Sequence, residues 1–405
     1  MYLCSRAMRY LYNLLIHGLP LFMQVAACFH PKARLWVNGR KQWREKLHDW
    51  RQKNPQTPTL WIHAASLGEF EQGRPIIESY QKLRPQHKIV LTFFSPSGYE
   101  IRKNYPHADL ILYLPADTAA NARDFVAILQ PQIAIFIKYE FWANYLHSLR
   151  QKQVNTLLIS AVFRKEQAFF KWYGGFWRDM LQCFNWIFVQ DESSKQLLQS
   201  IDIQNITLAG DTRIDRVMTL AAQAAPNAVC AVFSANTPCF IAGSSWPADE
   251  AIYLPVLAEN AFQHLKIIIA PHEPSPSALA QLETKLKQLQ MSFVRYSVAE
   301  KQADPHARVL IIDNIGLLNT LYPYARFAYI GGGFGKGIHN TLEPAAYGLP
   351  VIFGPKYQAF EEARQLSKMQ AAFPIQQTSD FRAVLQQLSQ NDVYAKASGN
   401  TLDWL

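Results

Sequence analysis

Short, uniformly apolar runs recur along the chain at 60–65, 88–94, 109–114, 133–137, 156–160 and 186–190, rich in Ile, Val, Leu and Phe. They are too short for helices and do not alternate, so they predict strands buried on both faces, as parallel sheets require. Between them, 71–83, 118–129, 141–152 and 193–200 space their apolar residues as helices do. A second series follows, with predicted strands at 239–242, 265–270, 293–296, 309–312, 327–330 and 350–353 and a helix over 378–388. Strand–helix alternation predicts an α/β fold with doubly wound sheets. Two such series predict two domains, and 405 residues exceed what one hydrophobic core usually supports. The Ala-rich stretch 217–238, broken by Pro226 and Pro238, reads as a connection. The predicted organisation is therefore an N-terminal segment 1–53, a first domain 54–216, the connection 217–238 and a second domain 239–405.

The N-terminal segment departs from this pattern. Residues 8–29 are apolar and aromatic, interrupted by Asn13, His17, Gly18, Pro20 and Gln24. Lys32, Arg34, Arg40, Lys41, Arg44, Lys46, Arg51 and Lys53 then crowd around Trp36, Trp43 and Trp50. Aromatics beside a basic flank predict a membrane-associated helix with the flank on the cytoplasmic side. A cleavable signal peptide would need its charges before the apolar run and a small-residue site after it. The competing reading is a core helix followed by a solvated basic helix.

Composition narrows the choices. The apolar fraction of 49% with 18% charged residues is that of a packed globular protein, and the net charge of +9 favours an anionic partner. The basic residues cluster beside apolar aromatic sequence with no nucleic-acid recognition motif, which argues against nucleic acid. Five cysteines are scattered without a C-x-x-C pair, so neither a disulfide framework nor a thiolate metal site is expected, and a reducing compartment is. There is no H-E-x-x-H, D-x-D or P-loop, so no metal site is expected.

Candidate chemistry sits at strand ends, where open α/β sheets bind ligands. The run Trp61 to Ala65 turns through Ser66 and Gly68 and delivers Glu69 at a helix start, although an acid there also complements the helix macrodipole. Lys138 and Glu140 end another strand. Glu140 reads either as a polar anchor or as a buried carboxylate paired with Lys138 or Arg164. In the second half, Tyr329 to Ala346 combines a strand, a glycine-rich turn with Gly332, Gly333 and Lys336, and a helix start at Asn340, with Glu343 one turn in. Glycines permit close backbone approach, and orphan amides at a helix start suit phosphate. The spacing fits neither G-x-G-x-x-G nor Walker A. Ser244 and Ser245 follow one strand of this half, and Pro271 and His272 follow the next.

With these residues in view, the chain resembles the transferases of 3-deoxy-D-manno-octulosonic acid (Kdo). The resemblance rests on His63 to Glu69, Glu140 to Asn144, Gly210 to Asp215 and Gly337 to Ala345, in that order and spacing. It implies a GT-B glycosyltransferase, two Rossmann-like domains facing a cleft, with an N-terminal membrane-associated helix. It implies metal-independent, inverting transfer of Kdo from CMP-Kdo to a lipid A precursor at the cytoplasmic face of the inner membrane, without a cofactor. By position, Glu69 corresponds to the general base, Glu343 to a ribose-binding acid and Asn340 to the helix start facing the donor phosphate. Ser244, Ser245, Pro271, His272, Gly332, Gly333 and Lys336 complete the expected donor site, and Ser66, Gly68, Lys138, Glu140 and Arg164 the acceptor side. Two departures stand out: Ala143 replaces a family proline, and His272 stands where many members have arginine. The rival readings are a GT-B transferase using a UDP-sugar on a membrane lipid, and a non-catalytic membrane nucleotide- or lipid-binding module.

Overall fold

The computed structural model describes residues 2–405 except 236 and 303, with side chains from residue 7 onward. Two compact units divide between Arg213 and Ile214. In the first, strands β1 (Thr59–Ala64), β2 (Lys88–Phe93), β3 (Leu110–Tyr113), β4 (Ile133–Ile137), β5 (Asn155–Ala161), β6 (Trp186–Val189) and β7 (Ile206–Leu208) form one sheet in the order β3-β2-β1-β4-β5-β6-β7. Every pairing is parallel. The chain starts in the middle and winds outward in both directions, which puts the topological switch point between β1 and β4.

The second unit repeats the principle. Strands β8 (Cys239–Ser245), β9 (Lys266–Pro271), β10 (Phe293–Arg295), β11 (Val309–Ile311), β12 (Ala325–Ile330), β13 (Val351–Phe353) and β14 (Ala372–Pro374) form a parallel sheet in the order β10-β11-β9-β8-β12-β13-β14. Its switch point lies between β8 and β12. The central strands are buried almost throughout, so their unbroken apolar character follows from having helices on both faces. The expected α/β fold with doubly wound sheets is thus present.

Two expectations need revision. Trp36, Trp43 and Trp50 are not interface aromatics. They sit on helices Pro31–Gly39 and Trp43–Lys53 and are 5%, 7% and 9% exposed, and Trp43 and Trp50 join Leu47 in the first unit's core. The arginines among them are occupied too. Arg40 lies 3.7 Å from the Trp36 ring and donates to the carbonyls of Leu114 and Phe94, Arg44 pairs with Asp124, and Arg51 donates to the Leu129 carbonyl. Residues 31–53 therefore belong to the first unit, and the basic pattern arose from guanidinium groups satisfying strand-end and helix-end carbonyls. Second, the stretch 217–238 is mostly helical, carrying the end of helix Thr212–Ala222 and all of Ala228–Ser234, because alanine favours helix wherever proline does not interrupt it. The apolar N-terminal residues do form one helix, Tyr2–Phe29, whose segment Ala7–Phe29 is long and apolar enough to cross a membrane and is only 6% buried.

Candidate functional site

In the first unit the candidate residues gather at the β1/β4 switch point. β1 ends at Ala64, and Ser66 opens helix Leu67–Leu83 with Glu69 in its first turn. The helix lies flat on the sheet: a Cβ on Gly73 would stand 2.3 Å from Ile137 Cδ1. The Ser66 hydroxyl donates to the Glu69 carboxylate, which leaves Glu69 half-buried and fixed over the sheet edge. Beside it, Lys138 ends β4 with φ 66 and Ser160 in β5 has φ 54. Left-handed backbone at non-glycine residues costs about 1–3 kcal/mol each and concentrates at functional sites. The Ser160 hydroxyl meets Thr212, whose own hydroxyl donates to the Gln72 carbonyl on the Glu69 helix. Thr212 thus ties the end of β5 to that helix.

Glu140 is a buried carboxylate held by His63 and Trp142. Its Oε2 lies 3.0 Å from His63 Nε2 and accepts from Trp142 Nε1 at 2.6 Å. His63, fully buried on β1, completes the chain through Nδ1 to Thr92 at 2.9 Å. The cluster Thr92–His63–Glu140–Trp142 locks β1, β2 and the segment after β4 together, directly beneath the Glu69 corner. Arg164 is exposed, and it and Glu69 both act electrostatically on the Tyr139 phenol.

In the second unit, the β8/β12 switch point holds a pocket of about 330 Å³ lined by Ser244, Asn319, Tyr322, His339, Asn340 and Glu343, with Gly316, Leu318 and Ile330. Ser244 reaches it through a register shift at the end of β8 and a left-handed φ of 51. Ser245 does not: strand alternation turns its hydroxyl into the core, where it meets Tyr253 at 2.8 Å. Glu343 accepts from Asn340 Nδ2 at 3.0 Å, and burial pushes its carboxyl above the usual carboxylate range. The helix expected near Asn340 is present but does not start on Asn340 itself. The helix is one turn, Leu342–Ala345, its cap position falls on Thr341, and the Asn340 side chain instead accepts from the Leu342 amide.

The glycine-rich turn is also closely packed against its neighbours. A Cβ on Gly331 would stand 2.2 Å from the Ser244 carbonyl, and one on Gly333 would stand 2.6 Å from Gly354. These glycines let the turn pack against the ends of β8 and β13, so Gly333 faces backbone and not open space. Gly332, at φ 93, makes the reversal that brings His339 back to the pocket. Buried Asp249 anchors all of it, accepting from the amides of Gly332 and Trp246 and from the Tyr329 hydroxyl. Burial raises its carboxyl above the ordinary range, and those three donors work against the shift.

His272, at the end of β9, stacks on His339 with ring centroids 4.2 Å apart and on Trp246 at 4.7 Å. Trp246 Nε1 donates to His339 Nε2 at 3.0 Å, so that nitrogen is the acceptor of a neutral ring. Burial, and then the facing His272, hold His339 below the ordinary imidazole value. Lys336 is exposed and does not line the pocket, and neither does Pro271. Sequence patterns missed Tyr322 and Asn319, which reach the pocket from a distant segment, and Asp249, whose partners Tyr329 and Gly332 lie far along the chain. The Trp-Pro-Ala-Asp run at 246–249 was the one local signal, an acid placed to cap a helix start.

Comparison with known proteins agrees with this layout. Residues 41–216 match the family model described as 3-deoxy-D-manno-octulosonic-acid transferase (kdotransferase). The chain is 26% identical over 339 residues to a 3-deoxy-D-manno-octulosonic acid transferase of Haemophilus influenzae, covering 80% of this chain and 78% of that protein. It is 27% identical over 339 residues to the Chlamydophila psittaci transferase of the same name, covering 81% and 76%. Among solved structures, a UDP-GlcNAc 2-epimerase from Neisseria meningitidis bound to UDP-GlcNAc superimposes with a TM-score of 0.58 at 15% identity, over 84% of this chain and 94% of that one. At that identity the likeness speaks to fold alone, and the fold is of the GT-B kind. Over most of its length the chain is similar to 3-deoxy-D-manno-octulosonic acid transferases.

Proposed function

We propose that the protein is an inverting glycosyltransferase that moves Kdo from CMP-Kdo to a lipid A precursor in lipopolysaccharide biosynthesis. The observation that carries this reading is the position of Glu69: a half-buried carboxylate at the β1/β4 switch point, oriented by Ser66, inside the segment that matches the transferase family. In this role Glu69 takes the proton from the acceptor hydroxyl as that oxygen attacks the anomeric carbon. General base catalysis of this kind typically contributes about 10²- to 10⁴-fold. The buried His63–Glu140–Trp142 cluster positions the strand ends around it and does not itself touch the reacting atoms.

The second unit supplies the nucleotide cradle. Glu343 accepts from the ribose hydroxyls, with Asn340 holding its carboxylate, and Ser244 faces the phosphate. As the bond to the sugar breaks, charge gathers on the CMP phosphate, and fixed donors there act without reorganising. His272 takes the place where many family members have arginine. A donor with one phosphate asks less of a metal than a pyrophosphate does, so the reading is metal-independent. The apolar helix Tyr2–Phe29, with its mostly exposed surface, holds the protein at the cytoplasmic face of the inner membrane, where a lipid acceptor resides.

Competition binding separates this reading from a UDP-sugar transferase. CMP should displace a fluorescent cytidine nucleotide from the full-length protein, and UDP should do so at least about tenfold more weakly, the scale of one lost set of base contacts. The reverse order would move the protein to the UDP-sugar class.

A further inference from the structure

Helix Tyr2–Phe29 does more than project from the first unit. The Tyr12 hydroxyl donates to buried Asp117 at 2.5 Å, Asn144 Nδ2 donates to the Asn13 side chain at 2.9 Å, and the Tyr12 and Phe176 rings lie 5.5 Å apart. These contacts fix the helix against the body, yet the apolar surfaces on either side of them do not close. A groove of about 370 Å³ remains, walled by Met8, Tyr12 and Leu15 on one side and by Phe176, Trp177 and Met180 on the other. Protein interiors are otherwise close-packed, so an apolar space of this size beside a helix held by specific polar contacts is a receptacle.

Both ends of the groove point to its occupant. Outside, the free face of the helix exposes Leu14, Leu21 and Phe22 at 71%, 65% and 69%. The neighbouring loop, which supplies Gln167 and Phe169 to the groove wall, carries Trp172, 82% exposed, next to Lys171 and Tyr173. A solvent-facing tryptophan beside basic side chains is the composition that seats at a lipid headgroup boundary. Inside, the groove ends on Tyr139 and Phe141, immediately after β4. Glu69 is near enough there for its charge to act on the Tyr139 phenol.

We propose that this groove holds one fatty-acyl chain of the lipid acceptor, drawing it from the membrane surface so that its sugar head arrives at Glu69. The inference rests on the transfer reading above and adds where the acceptor binds. A bulk phospholipid would fill the same apolar space but has no group that belongs beside Glu69, so the acceptor is the occupant the inner end selects.

The test uses the full-length protein on anionic phospholipid vesicles containing a tetraacylated acceptor with a photoreactive diazirine in one acyl chain, and a phospholipid with the same diazirine as a separate probe. The acceptor probe should label peptides containing Tyr12, Phe176 and Met180, and excess unlabelled acceptor should abolish that labelling. Labels confined to the outward Leu14, Leu21 and Phe22, or equal groove labelling by the phospholipid probe, would overturn the inference. A second arm places bulk in the groove with Leu15→Trp, a site 64% exposed and tolerant of size. The ratio of kcat/KM for acylated over acyl-free acceptor should fall about tenfold, roughly the loss of two buried methylenes. An unchanged ratio contradicts the groove. Absence of transfer to any acceptor, with groove labelling intact, would instead refute the transfer reading and leave the lipid site standing.

Discussion

Glu69 and Glu343 are both acids in the first turn of a helix, and their surroundings give them different tasks. Glu69 is set by one short contact from Ser66, whereas Glu343 is pushed by burial toward its neutral form. Replacing Glu69 with Gln keeps the shape and the Ser66 contact but removes the proton acceptor. The expected result is unchanged CMP affinity with kcat lower by about 10²- to 10⁴-fold, checked by calorimetry and steady-state kinetics on one preparation. Glu343 gives a pH signature. In the proposed ribose-binding role only its ionised form can accept from two hydroxyls, and its raised carboxyl takes up a proton at a higher pH than an ordinary carboxylate. CMP affinity should therefore fall on acidification while ordinary carboxylates remain charged, and Glu343→Gln should bind weakly with that dependence gone. Titrations from neutral to mildly acidic pH decide this. Both acids were legible in the chain because each follows a strand and a small-residue turn. The partners of Glu140 were not, since His63 is separated from it by 77 residues and only the β1–β4 pairing brings them together.

At the scale of elements, the central strands were readable because burial on both faces leaves an unbroken apolar run. The edge strands β7 and β14 were not. Each is three residues long and partly exposed, so its composition does not differ from a loop's. Helix Asn391–Trp404 escaped for a related reason, since few of its residues are buried and it shows little apolar periodicity. The glycine-rich turn was recognised as special, but its packing against β8 and β13 depends on neighbours that the local sequence does not name. That packing separates glycines that look alike in sequence. Gly331→Ala drives a Cβ into the Ser244 carbonyl and should cost at least about 2 kcal/mol, as overpacking does, together with loss of CMP binding. Gly335→Ala meets only the Gly332 carbonyl, at 3.4 Å, and should stay within about 0.5 kcal/mol of the parent. Urea denaturation of the two variants compares them directly.

For the molecule as a whole, the N-terminal region divides near residue 30 into an apolar, mostly exposed helix and two helices that carry core tryptophans. Removing residues 1–30 takes away the exposed apolar helix. The remaining protein should fold, because Trp43, Leu47 and Trp50 are retained, but should float poorly with anionic vesicles. Removing residues 1–53 deletes those three core side chains, at about 2–5 kcal/mol each, which matches or exceeds the whole stability of a typical domain. That truncation should be insoluble or unfolded by circular dichroism. Vesicle binding that survives the shorter deletion would show that the apolar helix is not the attachment.

The central claim is that one unit provides a proton acceptor and the other a cytidylate cradle for the same sugar transfer. The most direct measurement is a transfer assay in which purified protein receives CMP-Kdo generated in place and a tetraacylated lipid A precursor, with products resolved by mass. The account predicts an acceptor heavier by one or more Kdo residues, in an amount that depends on CMP-Kdo. An acceptor of unchanged mass alongside intact CMP binding, or transfer from a UDP-sugar in its place, would contradict it.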